Sequence, residues 1–231
     1  MAKPDRGDDV RLNRARGLVL GLTLALVGGL SAAMLMLPAD APRLAETAIN
    51  RTPESGVLNP VTAVLLNFRG YDTLLEVAVL LLAIIAIWSM ARQARVWIKL
   101  PDSPVLTAFV RLLLPLMVII GGYLLWLGAD LPGGAFQGGA VLGGLGVLWV
   151  AAAVWLPPAW FRRLLRPALV VGLLTFLLIA VAVMFPGGLL LAYPPEQAKN
   201  LILLVESAAV ISIGVTLTLL FIGGIPERGD A

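Results

Sequence analysis

Of the 231 residues, 59% are hydrophobic and only 13% charged, where soluble domains carry about 25% charged residues, so there is too little polar surface here for a water-soluble globule. The net charge is +3, but the cations punctuate the ends of apolar runs instead of gathering on one face, which argues against nucleic-acid binding. With no Cys and no His, disulfides, thiol catalysis, Cys-held iron–sulfur clusters and the commonest general base are excluded. No catalytic residue, metal site or cofactor is expected, and the chain does not read as an enzyme.

A bilayer core of about 30 Å needs roughly 20 apolar residues per helix. Six segments reach or approach that length, at 17–37, 72–90, 106–127, 136–156, 167–185 and 200–223. The expected fold is an all-α polytopic membrane protein with six transmembrane helices. The first run is longer than a signal-peptide core, and MLMLPAD is a poor cleavage site, so it reads as a retained anchor following a cytoplasmic tail.

Orientation follows from the cations near the span ends. Lys3, Arg6, Arg11, Arg14 and Arg16 precede the first span, Arg92, Arg95, Lys99 and Arg111 follow the second, Arg162, Arg163 and Arg166 follow the fourth, and Arg228 closes the chain. All of these share one side, leaving Arg43, Arg51, Arg69 and Lys199 on the other. Both termini are expected to be cytoplasmic. The chain then divides into a tail and anchor over 1–37, an external proline-bearing linker over 38–55, a segment with one span over 56–100, and a four-helix unit over 101–231 that begins at the PDSP break.

Val57 to Phe68 is too short to cross a bilayer, so it is either an interfacial or a re-entrant helix feeding the second span. Arg69, Asp72 and Glu76 follow at i, i+3 and i+7, on one stripe of a continuing helix. Arg69 and Asp72 suit an interfacial ion pair that sets helix depth. Glu76 lies about 6 Å deeper along the axis. A carboxylate entering hydrocarbon costs on the order of 2.5–3.5 kcal/mol unless paired, protonated or facing a wet cavity. Glu206, in NLILLVESAAVISIGVTLTLL, has no cation within two turns on its C-terminal side and only Lys199 before it, seven residues back. It is either an element of an ion or proton path or a protonated acid bonded to a backbone carbonyl. On its helix Ala208, Ser212 and Thr216 form a small-residue seam suited to close packing. Glu206 lies about 200° around the helix from Ala208, so protein is expected on two sides of this helix. Glu76, Glu206 and Asp72 are the candidate path residues.

The run LPGGAFQGGAV at 131–141 lacks the preceding strand and following Lys-Ser/Thr of a phosphate loop. Pro132 is expected to end or kink the third span, and Gly133 and Gly134 permit a tight turn. Ala135, Gly139 and Gly143 recur every four residues, a flat seam for docking a helix. Gln137 adds a lone amide with both donor and acceptor, and Asp130 just before the run reads as interfacial.

With these residues in view, LLPLMVIIGGYLLWLGADLPGGAFQGGAVLGG and NLILLVESAAV resemble the MnhB-like component of the Mrp-type multisubunit sodium/proton antiporters. GVLNPVTAVLLNFRGYDTLLEVAVL resembles the C-terminal tail of the large A component of those antiporters and the small membrane subunit of membrane-bound hydrogenases. The two resemblances cover residues 56–225 and rest on Pro132, Gly133, Gly134, Phe136, Gln137, Gly138 and Gly139 in the second part, and on Arg69, Asp72 and Glu76 in the first. Departures from the family pattern stand at Ala129 in place of His, Ala135 in place of Gly, Asn67 in place of Asp, Thr62 in place of Asn and Leu75 in place of Gly.

The resemblance implies a multi-pass subunit of the cell (inner) membrane. It would work in a complex-I-related cation/proton antiporter beside large antiporter-like subunits and other small membrane subunits, with lipid as its remaining neighbour. A second class of reading is a mainly structural subunit of a redox- or substrate-driven relative, such as a hydrogenase or an inorganic-carbon-uptake complex. A free-standing transporter fits least, because intramembrane charge is scarce and the small-residue seams point to docking.

Overall fold

The computed structural model describes residues 6–38, 44–90, 103–152, 159–185 and 188–223. The chain is an all-α multi-pass membrane protein, with no strand among the described residues. Five helices are long and apolar enough to cross a bilayer. These are α1 (Arg6–Leu35), α4 (Gly70–Met90), α5 (Pro104–Leu127), α7 (Ala159–Ala182) and α8 (Pro195–Ile222). The remaining expected span, the fourth, is α6, Ala135–Ala151, whose 17 residues reach only about 25 Å at 1.5 Å per residue.

Helix ends depart from the hydropathy estimate in a consistent way. α1 starts at Arg6 instead of 17, α7 at Ala159 instead of 167 and α8 at Pro195 instead of 200. Hydropathy registers only what lipid touches, whereas backbone hydrogen bonding continues through polar residues beyond the bilayer surface. Pro195 sits in the first turn of α8, where its missing N–H is no loss. Residues 153–156, read as the end of the fourth span, and Arg92, Arg95, Lys99 and Arg228 lie outside the described residues.

Two compact units are distinguished, Met1–Leu44 and Ala45–Ala231. In the first, the apolar side chains of α1 from Leu18 to Leu35 are exposed. The second unit is built around α8. Its buried residues include Ile202, Val205, Ala209, Ile213 and Thr216, so protein surrounds it on several faces. The glycines of α6 make this possible. A Cβ on Gly139 would lie 2.7 Å from Cγ2 of Ile213, and one on Gly143 would lie 2.9 Å from Cβ of Leu217. Against α7, a Cβ on Gly172 would lie 2.8 Å from Cβ of Ser212. Ser212 Oγ donates to the Leu169 carbonyl at 2.5 Å, and Thr218 Oγ1 shares its hydrogen between the Gly214 carbonyl of its own helix at 2.8 Å and the Gly143 carbonyl of α6 at 3.1 Å. With no water to exclude between helices in lipid, such close contact and interhelical hydrogen bonds are what hold them.

The stretch read as an external linker is folded over its described part. Helix α2, Leu44–Arg51, runs into a 3₁₀ turn at Thr52–Ser55. Gly56 follows with φ 75 and packs so near α8 that a Cβ would lie 2.9 Å from Cβ of Ala198. Thr52 and Ser55 are buried because their hydroxyls are used within the turn, Thr52 Oγ1 donating to Ala48 O and Ser55 Oγ to Thr52 O. Side-chain bonds of this kind replace the water a linker would need.

Candidate functional site

Asn59 begins the segment that carries the site. Its Oδ1 accepts from Val61 N at 3.0 Å, capping the short helix α3 (Pro60–Thr62), and Pro60 occupies the first helical position. The pairing of Asn cap and Pro is a helix-start signal. Asn59 Nδ2 then donates to the carbonyls of Gly128 at 3.1 Å and Leu131 at 2.8 Å. Thr62 Oγ1 donates to the same Gly128 carbonyl, and the amides of Leu58 and Asn59 both donate to Ala129 O. The start of α3 is thereby clamped onto the turn between α5 and α6.

From Ala63 to Phe68 the helix widens to a π-helical turn before α4. π turns often mark functional positions because they free and redirect backbone groups. Here Thr73 Oγ1 donates to the Leu65 carbonyl at 2.7 Å, and Asn67 Nδ2 donates to Ser55 O at 2.9 Å. Asn67 is thus occupied in tying the π turn to the 3₁₀ turn.

The third span ends at residue 127, where its apolar run stops, but Pro132 is not what ends it. Pro132 lies five residues beyond Leu127 and is exposed. The turn closes because Gly134 N–H donates back to Leu124 O at 2.8 Å. Gly128 and Gly134 also stack so closely that a Cβ on Gly128 would lie 2.7 Å from Cα of Gly134. Backbone proximity, not proline, ends the helix.

Between the π turn, α4, the hairpin, α7 and α8 lies a cavity of about 320 Å³. Glu206 and Glu76 both line it, with Thr62, Thr73, Gln137 and the apolar Leu66 and Phe176. Glu206 is 5% exposed. Its Oε1 accepts from the Ala135 N–H at 3.3 Å, while Oε2 has no hydrogen-bond partner among the described residues. Glu76 is exposed at the flank of α4. The hydroxyl hydrogens of Thr62 and Thr73 are spent on carbonyls, so both oxygens offer lone pairs. No Lys or Arg lines the space. Two carboxyl groups and two hydroxyl oxygens make a lining that accepts protons or cations and repels anions. No group of three or more His, Cys, Asp or Glu suited to a metal ion occurs among the described residues.

The other sequence candidates fall elsewhere. Asp72 does not line the cavity; it forms an ion pair with Arg69 at the start of α4. A residue held by a neighbouring guanidinium in the first turn stays at the helix entrance. Gly133, Gly134, Phe136 and Gln137 line the cavity. Gly138, Gly139 and Gly143 are buried in the helix seams, where Gly138 abuts Val210 and Gly121. Asp130 pairs with Lys199, both carboxylate oxygens 2.8 Å from Nζ, joining the hairpin to the start of α8. Asn59 and Thr73 went unnoticed in the sequence. The Asn-Pro start signal pointed to the first, and nothing local pointed to the second.

Fold and site together define a class: a polytopic helical membrane subunit with an acidic cavity beneath a glycine hairpin. Residues 105–223 match the family described as a domain related to the MnhB subunit of Na+/H+ antiporter, and the chain belongs to that family. Residues 12–102 match the MbhE family, described as a subunit of MBH. An uncharacterized protein of Methanocaldococcus jannaschii, MJ1307, is 31% identical over 151 residues, 56% of this chain and 58% of that protein. The chain therefore spans a little under three-fifths of the curated relative it matches.

Two solved structures share the fold. A chain of the membrane-bound sulfane sulfur reductase, an archaeal respiratory membrane complex, superimposes with a TM-score of 0.65 at 24% identity, covering 93% of this chain and 99% of that one. A chain of the Mrp complex from Dietzia sp. DQ12-45-1b does so with a TM-score of 0.62 at 23% identity, covering 100% of this chain and 27% of that one.

Proposed function

We propose that this chain is an integral subunit of an Mrp-type, complex-I-related cation/proton antiporter, lying in the cell membrane with both termini in the cytoplasm. Glu206 and Glu76 belong to its proton or cation path. The observation that carries the reading is the shared cavity: an acid buried on α8, with one oxygen unpartnered among the described residues, opens onto the same space as a second acid in the α4 span. Ionisable groups inside a bilayer are functional candidates because their desolvation is so costly. The family assignment supports the same reading. Glu76, exposed on this chain within a span, calls for a companion subunit to cover it. Large antiporter-like subunits and small membrane subunits are the proposed partners, and Asp72 serves depth-setting rather than the path.

A second reading has its own support: a structural role in a redox-driven complex, favoured by the near-complete coverage of the sulfane sulfur reductase chain. The test is cation/proton exchange by the assembled complex in vesicles. Glu206→Gln and Glu76→Gln are each expected to slow exchange at least about tenfold, the loss of a charge-assisted interaction at the reacting group, with assembly intact. Exchange at the unsubstituted rate in both variants would leave only the structural role.

A further inference from the structure

We propose that Gly134 is the positioning residue of the Glu206 site: its backbone turns the first amide of α6 onto one carboxylate oxygen and leaves the other for the proton. This rests on the reading of Glu206 given above and adds how the acid is held.

Gly134 has φ 115 and ψ −171, a conformation essentially confined to glycine. That geometry makes Ala135 the first residue of α6 and brings its N–H to Oε1 of Glu206 at 3.3 Å. The space is also committed, since a Cβ on residue 134 would lie 2.6 Å from the same Oε1. Gly134 cannot drift, because its N–H donates to Leu124 O and its carbonyl accepts from Gly138 N. Only a residue without a side chain, fixed at both polar groups, satisfies these conditions together.

The consequence is a carboxyl group with two unequal oxygens. Oε1 faces the positive end of a helix and is spoken for by the main chain. Oε2 is buried and unpartnered among the described residues, and the residue opens on the cavity that also holds Glu76. Taking up a proton converts the carboxylate to the acid at Oε2, and releasing it regenerates the carboxylate. Neither step disturbs the Ala135 bond, so the side chain keeps one orientation through both states.

Two substitutions in the assembled complex test this. Gly134→Ala brings the Cβ against Oε1. Ala135→Pro deletes the N–H at a helix position that tolerates proline, and so decides the matter where the first variant fails to assemble. The infrared carboxyl band of Glu206 is identified by its disappearance in Glu206→Gln. Both variants are expected to shift that band and to slow exchange about tenfold, as loss of a hydrogen bond to a charged group predicts. Neither should slow exchange further once Glu206→Gln is present, because residues acting through one another are not additive.

An unmoved band overturns the proposal, as does slowing of equal size with and without Glu206. Failure of both variants to assemble overturns it as well, by giving the turn a purely structural role. Full exchange in Glu206→Gln itself takes this acid out of the path, and the band shift then still decides whether the main chain holds it.

Discussion

The two walls of the cavity are built on opposite principles. The α5–α8 wall is closed within the chain: glycines bring α6 onto α8 and α5, and the buried Glu206 is held by a backbone amide. The wall formed by residues 45–90 is irregular, with a 3₁₀ turn, a π turn and polar side chains bonded to carbonyls, and its acid Glu76 is exposed. One wall is a rigid scaffold that completes itself. The other presents a carboxyl group outward and depends on a neighbour to finish it.

The largest expected effect strikes the closed wall. Gly139→Leu forces a side chain into the 2.7 Å gap to Ile213 and is expected to cost about 3 kcal/mol or more, seen as loss of folded chain in detergent. Gly144→Ala on the same helix meets only the flexible end of Met117 at 3.3 Å. It should be neutral, or stabilise by about 0.5–1 kcal/mol through lowered backbone entropy. Equal damage from both would show that the seam is not what holds α6.

The join between the walls comes next. Asn59→Ala removes two bonds to the hairpin carbonyls and the α3 cap, an expected loss of about 2 kcal/mol in thermal stability. Within the irregular wall, Asn67→Ala removes one bond to Ser55 O and should cost about 1 kcal/mol. A reversed order would show that the clamp on the hairpin contributes less than the irregular wall's own bonding.

Smaller still is the outer ion pair. Lys199→Met leaves Asp130 partly exposed to solvent, so the expected loss is under about 1 kcal/mol and shrinks with added salt. An effect confined to high pH is expected at Tyr193, in the loop before α8, where burial pushes the phenol up to about 12 from 10.0. The folded state holds that proton more tightly than the unfolded chain. Any stability this lends is full below about pH 10 and is lost as pH rises towards 12. The tyrosinate absorbance that Tyr193→Phe removes should develop only as pH approaches 12, and its appearance near pH 10 would mean that the loop is open.

Much of the closed wall was legible in the sequence. Ala135, Gly139 and Gly143 at four-residue spacing mark a helix-packing face, and α6 meets α8 along it. Glu206 stood out because nothing near it in the chain offers a counter-charge. The irregular wall was harder to read. Turns held by Thr52, Ser55 and Thr73 have no hydrophobic period, and the polar, proline-bearing stretch 38–55 looks like a linker until its hydroxyls are seen bonded to its own backbone. The end of the third span at 127 was legible too, but its cause was not, since Pro132 lies beyond it. Close backbone approach between Gly128 and Gly134 ends α5 before the proline is reached.

Composition and hydrophobic run length were enough to determine a helical membrane protein with two unusual acids, because the cost of exposing polar groups to lipid is local and can be counted along the chain. Which acids share a space could not be counted that way. Glu76 and Glu206 are 130 positions apart, and only the docking of α4 and α8 around the glycine hairpin brings them to one cavity. Such contacts depend on the fit of distant surfaces, a property no short stretch of residues carries.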